Sequence, residues 1–198
     1  MDFWDKRFNQ KEYVFGKKPA AALVTHEELL IPQGETFVVA DGEGRNSVYL
    51  AHKGFKVSAT DYSSIAVEKA KKLAEEKNVN VNFKVEDIYN INLRDKKYDN
   101  VIGIFIQFIP PHQITSILKS LQRLTKIGGT LFIHGYTPEQ VELGTGGPPN
   151  KQHMYTKAML ANIFSEGTVL VNREYHDHIS EGKGHHGESA LIDFVLQV

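Results

Sequence analysis

The chain has 198 residues, 41% of them hydrophobic and 24% charged, a balance that excludes disordered and fibrous classes and suits one domain or at most two small ones. Its 23 Lys and Arg against 24 Asp and Glu leave a formal net charge of -1, so no global field draws it toward nucleic acid or an anionic membrane surface. The lack of cysteine rules out disulfides, a thiol nucleophile and cysteine-ligated zinc, and no signal-peptide pattern or apolar run near the ~20 residues of a membrane span is found, so a cytoplasmic protein is expected.

In chain order, the first ten residues interleave charges with aromatics, and from Thr36 onward short apolar runs alternate with helix-like stretches, the pattern of parallel strands joined by crossover helices. Thr36 to Ala40 reads as a buried first strand and Arg45 to Lys53 as a helix ended by Gly54. The second strand is Lys56 to Thr60. Ser63 suits the N-cap of a helix to Lys77, with Ala66, Ala70, Leu73 and Ala74 as its apolar stripe. Val81 to Val85 is a third strand and Val101 to Ile106 a fourth, covered on both faces; Pro110 and Pro111 open a helix to about Leu124.

Gly128 and Gly129 predict a break before a fifth strand, Thr130 to Tyr136, and Thr137-Pro138-x-Gln140 reads as a capping box. Leu143 to Asn150 is too rich in Gly and Pro for regular structure. Thr168 to Ile179 and Ser189 to Val198 read as two strands of a hairpin joined by the glycine-rich turn Glu181 to Gly187, which makes one terminal strand antiparallel. No internal repeat interrupts this series. The expectation is a Rossmann-like, doubly wound α/β domain of seven strands spanning 1–198, with an N-terminal helical cap (1–35), a cofactor-binding core (36–137) and a substrate-side loop, helix and hairpin (138–198).

Small residues in Ala40-Asp41-Gly42-Glu43-Gly44, between the first strand and its helix, let backbone N–H groups approach a ligand. Asp61 ends the second strand 20 residues after Asp41, where a carboxylate can take both ribose hydroxyls of an adenosine group. Asp87 follows the third strand as an acceptor suited to an exocyclic amine. Three strand ends thus converge on one adenosine-sized ligand. A nicotinamide dinucleotide fits less well, because Ser47 stands where its fingerprint needs a third glycine.

The segments ADGEGRNSVYLA, VSATDYSS, KVEDI and TKIGGTLFI resemble the class I S-adenosylmethionine-dependent methyltransferases from Thr36 to Tyr136, and GRNSVYLA with FWDKRF, EYVFG and GTGGPP is similar to their tellurite-resistance and thiopurine methyltransferase-like branch. Aligned on Gly42 and Gly44, Val38 stands at the family's acidic position and Ala40 at its first glycine. The resemblance implies S-adenosylmethionine as cofactor. Ala40, Asp41, Gly42, Gly44 and Asn46 would surround its methionine end, Asp61 the ribose, and Asp87 and Ile88 the adenine with Tyr62 beside the ring; the end of the fourth strand, Ile104 to Phe108, would face the sulfonium. It also implies an N-terminal lid of Trp4, Arg7, Tyr13 and Phe15, with Tyr136 and Gly146 on the acceptor side; hydrophobic anchoring is the other reading of those aromatics.

Gln107 is the one catalytic candidate, able to orient a nucleophile, with a structural role of equal weight. His176-x-His178 with His185-His186 in the adjoining turn could form a zinc cluster, but no diagnostic ligand spacing supports one and no metal is expected; His112 reads as a surface residue. The expected function is methyl transfer from S-adenosylmethionine to a small molecule, possible acceptors being a thiol or a selenium or tellurium oxyanion. No nucleic acid or membrane partner is expected. The alternative, motivated by Val38 and Ala40, is a non-catalytic S-adenosylmethionine-binding or regulatory module.

Overall fold

The alternating pattern folds into a seven-stranded mixed sheet with helices on both faces. A computed structural model describes residues 3–92 and 96–198. Two short helices, α1 (Phe3–Phe8) and α2 (Ala21–Thr25), precede β1 (Glu35–Val39). Then follow α3 (Arg45–His52), β2 (Lys56–Asp61), α4 (Ser64–Glu76), β3 (Asn82–Val85), β4 (Tyr98–Ile104), α5 (Pro111–Leu124) and β5 (Thr125–Tyr136). The chain closes with α6 (Gln140–Leu143), α7 (Lys157–Ile163), β6 (Thr168–Glu181) and β7 (His185–Gln197). The strand order is β3-β2-β1-β4-β5-β7-β6, parallel except where β7 runs antiparallel to both β5 and β6.

Central strands are apolar on both faces because each face meets a helical layer. Phe37, Val39, Val101, Leu131 and Ile133 pack with Ile114, Leu118 and Leu121 of α5 and Leu160 of α7. Val38, Ile102, Ile104 and Phe132 pack on the other side with Leu23 of α2 and Leu50 of α3. Ser63 caps α4, its hydroxyl accepting from the Ala66 N–H at 3.2 Å. The order of connection reverses between β1 and β4, which opens a crevice beyond their carboxyl ends.

Four local expectations are corrected. β4 begins earlier and ends earlier than the apolar run, because Phe105 turns to φ 54° and leaves the sheet. Gly128 and Gly129 do not break β5: the register shifts between Tyr98 and Asn100, and the bulge is held by Gly128 N–H donating to Val198 O and Val198 N–H to Gly129 O. The capping box does not form. Gln140 is fully buried and its amide holds the following loop instead, donating to Thr145 Oγ1 at 2.8 Å and accepting from Ala190 N–H at 2.9 Å. The final hairpin is longer, with only Gly182, Lys183 and Gly184 between its strands, and its tip docks on the N-terminal segment: Gly184 N–H donates to Val14 O at 3.0 Å. His185 and His186 therefore lie in β7, not in a turn.

Candidate functional site

A cavity of about 380 Å³ fills the crevice, within the range of small-molecule sites. The turn after β1 supplies Ala40, Asp41 and Gly42; β4 and its continuation supply Ile104, Phe105, Gln107 and Phe108. Phe3, Trp4, Arg7, Phe8 and Phe15 cover it, and Gly147, Pro148 and Pro149 with Tyr136 and His185 close the far side.

The β1 turn winds through left-handed backbone at Ala40 (φ 49°), Gly42 (φ 63°) and Gly44 (φ 88°). Gly44 is needed for packing: a Cβ there would lie 2.7 Å from the Ala70 Cβ of α4. Ala40 keeps the glycine-like conformation despite its methyl, a strain on the order of 1–2 kcal/mol that the surrounding fold sustains. Val38 is simply core.

Two carboxylates flank this turn. Asp61 accepts from Gly42 N–H at 2.8 Å and Ser63 N–H at 2.9 Å, which fixes its position against the turn, and burial raises its pKa. Burial pushes the Asp41 carboxyl up to about 7, although Ser47 donates to it from both hydroxyl and backbone. Ser47, where a dinucleotide fingerprint would carry glycine, is thus the clamp on Asp41.

The roof is aromatic. Trp4 stacks on Phe8 with centroids 5.9 Å apart and meets Phe108 edge-on at 5.6 Å, while the Arg7 guanidinium lies 5.8 Å from the Trp4 ring and 5.4 Å from Phe15. Such rings suit a cationic ligand group kept from water. Across the cavity, Arg45 pairs with Glu181 at 2.8 Å, both side chains buried, and Glu181 Oε1 also accepts from Ala21 N–H. His185 Nδ1 lies 4.0 Å from Glu181 Oε2. Among the described residues Arg45 Nη1, Tyr136 Oη and His185 Nδ1 have no hydrogen-bond partner. Burial first, then the neighbouring Arg45, His134 and Arg7, holds His185 well below the ordinary imidazole pKa.

The structure thus gathers Trp4, Arg7, Phe15, Ala40, Asp41, Gly42, Asn46, Asp61, Ile104, Gln107 and Tyr136 around one space. It places the others outside the lining. Gly44 backs onto α4; Tyr13 packs with Val48 and Leu73, its hydroxyl donating to Lys69 O at 3.0 Å. Gly146 lies against Tyr136, where a Cβ would come within 2.7 Å of the hydroxyl. Asp87 caps a 3-10 turn by accepting from Tyr89 N–H, Ile88 is core, and Tyr62 is half exposed. Gln107 lines the cavity, yet both ends of its amide bind the Tyr136 backbone: Oε1 accepts at 2.6 Å and Nε2 donates at 2.8 Å. It positions Tyr136.

The histidines separate. His176 pairs with Glu139 at 2.7 Å, and the rings of His178 and His186 meet at 5.5 Å on the face opposite His185. Among the described residues no group of three or more His, Asp or Glu side chains could hold a metal ion, and no helix is long and apolar enough to cross a membrane. His112 is exposed on α5.

Phe3, Phe8, Arg45 and His185 were missed as lining residues. Arg45 left one signal: a cation at the first position of a helix opposes the macrodipole and needs another reason to be there. His185 left none, because its burial depends on the docked hairpin tip.

Residues 38–129 match a family described as a methyltransferase domain. The chain is similar to a probable S-adenosyl-L-methionine-dependent methyltransferase TehB of Haemophilus influenzae strain 10810, 25% identical over 129 residues, 65% of this chain and 42% of that protein. The chain thus spans less than half the length of that relative. Its fold resembles the crystal structure of TehB from Haemophilus influenzae with a TM-score of 0.72 at 18% identity, covering 99% of this chain and 66% of that one. It also resembles the magnesium protoporphyrin IX methyltransferase of Synechocystis PCC 6803 with bound S-adenosylmethionine, with a TM-score of 0.62 at 19% identity, covering 89% and 75%.

Proposed function

We propose that this chain is a class I S-adenosylmethionine-dependent methyltransferase and catalyses methyl transfer to a small acceptor bound at the Tyr136 and His185 end of its cavity. The observation that carries this reading is the pairing, across one cavity, of a carboxylate-flanked left-handed turn with an aromatic roof. The residues fit the cofactor: Asp41 and Asp61 suit its cationic and hydroxyl groups, and Trp4, Phe8, Phe15 and Phe108 suit the sulfonium. When bound, the cofactor supplies an electrophilic methyl group. The chain's residues orient and enclose the reactants, and the covered aromatic side excludes water. The left-handed Ala40 supports a working site, since its methyl is accommodated in the backbone shape that the family's glycine would take.

The finer reading is an apolar or soft nucleophile, a thiol or a selenium or tellurium oxyanion. Phe105, Phe108 and Tyr136 support the first, and Arg45 would serve either. The near-zero net charge favours a small molecule over nucleic acid, and we read the protein as cytoplasmic. Residues 1–35, 36–137 and 138–198 would act as cap, cofactor core and acceptor side of one domain.

Calorimetric titration with S-adenosylmethionine and S-adenosylhomocysteine tests the cofactor assignment. Asp61→Ala should weaken both by about 10- to 150-fold, the ~1.5–3 kcal/mol of hydrogen bonds to a charged group. S-adenosylhomocysteine production is then followed with thiols, selenite and tellurite. Failure of the wild-type chain to bind either ligand would sink the reading; binding without turnover of any acceptor would return it to a binding module.

A further inference from the structure

Three residues that line the acceptor end of the cavity are more than nine-tenths buried and carry a polar atom with no hydrogen-bond partner among the described residues: Arg45 Nη1, Tyr136 Oη and, on the Glu181 side of its ring, His185 Nδ1. Buried polar atoms are ordinarily satisfied, so Arg45 and Tyr136 at this wall mark a place where a ligand completes the bonding, with the His185 ring beside it. Of the three, only the imidazole can take up a proton near neutral pH.

We infer that His185 is the base that removes the proton from the methyl acceptor, with Glu181 as the nearby carboxylate that balances the charge it gains. This rests on the methyltransferase reading above. In the step, the acceptor's S–H bond breaks, its electron pair stays on sulfur as a thiolate, and the proton passes to an imidazole nitrogen. A proton on Nδ1, facing Glu181 Oε2 at 4.0 Å, leaves Nε2 with the basic lone pair, and the imidazolium that forms is balanced by that carboxylate. Arg45 holds Glu181 in place and turns Nη1 to the cavity, where it stabilises the thiolate.

The surroundings set the strength of the base. His185 is packed by Phe15 at 4.5 Å, Phe105 at 4.1 Å and Tyr136 at 5.7 Å between ring centroids. The charged and titratable groups around it are Arg7 from α1, Arg45 from α3, His134 and Tyr136 from β5 and Glu181 from β6. Three of these are cationic or can become so, which keeps the imidazole unprotonated and ready to accept. Such a base is weak, and it matches an acidic donor such as a thiol, with pKa ~8.5, rather than an alcohol.

The test uses the full chain with two thiols, 2-mercaptoethanol, which is protonated at neutral pH, and 4-nitrothiophenol, which is already ionised. In turnover, His185→Gln should slow methylation of 2-mercaptoethanol by about 100-fold or more while changing that of 4-nitrothiophenol less than about fivefold, and with S-adenosylhomocysteine bound its Kd for 2-mercaptoethanol should stay within about twofold of wild type. An equal loss on both thiols, or a loss explained by weaker 2-mercaptoethanol binding alone, overturns the assignment. Should His185→Gln fail to fold, the wild-type pH profile decides: a rate with 2-mercaptoethanol that follows only the solution ionisation of the thiol overturns it, as does cofactor binding with neither thiol bound or methylated. Failure to bind S-adenosylhomocysteine at all would overturn the methyltransferase reading instead.

Discussion

Asp41 sits where a carboxylate is costly to keep ionised, and the cost is tied to what the cavity binds. Its folded pKa of about 7 lies above the ordinary aspartate value, so the empty protein holds an extra proton between about pH 4 and about pH 7. Stability of the free chain from this group is therefore present at low pH and is lost as pH rises through about 7. A cationic ligand reverses the preference, because it favours the ionised form and expels the proton. Affinity for S-adenosylmethionine should then fall by about tenfold between about pH 8 and about pH 6, and binding at the lower pH should release a proton. Calorimetry in buffers of different ionisation enthalpy measures both, and Asp41→Asn should flatten the dependence. A Kd that is constant over this range would show that Asp41 does not face the cation.

At the scale of elements, one lysine of α4 ties down several points of the N-terminal cover. Lys69 Nζ donates to the carbonyls of Gln10 at 3.0 Å and Glu12 at 2.7 Å, and pairs with Glu43, whose other oxygen accepts from Val14 N–H at 2.7 Å. Glu43 is 2% exposed, so removing its partner leaves a buried charge uncompensated. Lys69→Ala should cost about 3 kcal/mol of stability and free the segment before Gly16 to proteolysis, with a larger effect on turnover than on adenosine-end affinity. Limited proteolysis and denaturant unfolding check this; a variant as resistant and as stable as wild type would refute the tether. The Ser63 cap and the strand–helix alternation were legible in the sequence because they depend on neighbours a few residues apart: Ser63 with Ala66, or the Ala66, Ala70 and Leu73 stripe. Lys69, Glu43 and His185 were not, because their roles arise from contacts between the hairpin tip, α4 and the N-terminal segment that no local pattern records. Gly182 shows this well, since a Cβ there would meet Val14 O at 2.4 Å, a constraint invisible until the two segments are brought together.

Over the whole molecule, the cavity joins the two ends of the chain: Phe3 to Phe15 form its roof, His185 its far wall, and the switch between β1 and β4 its base. The doubly wound order could be anticipated from the alternation, and the crevice at its reversal from the fold class. Which residues from outside the parallel core would close it could not. A ligand in this space touches elements far apart in sequence and can bind only when all are assembled, so it stabilises the folded state alone. At about a hundred times its Kd, S-adenosylmethionine should contribute ~2.7 kcal/mol, which for a chain of this length corresponds to a rise in Tm of ~5–11 °C. S-adenosylhomocysteine should act similarly, and reduced nicotinamide dinucleotide should leave Tm unchanged, because Ser47, clamped to Asp41, stands where the dinucleotide fingerprint needs a third glycine for close helix–strand packing. Thermal unfolding with each ligand is the measurement. An equal shift with the dinucleotide would overturn the assignment of the cavity to a methyl donor, and no shift with S-adenosylmethionine at that excess would separate the binding event from the assembled fold.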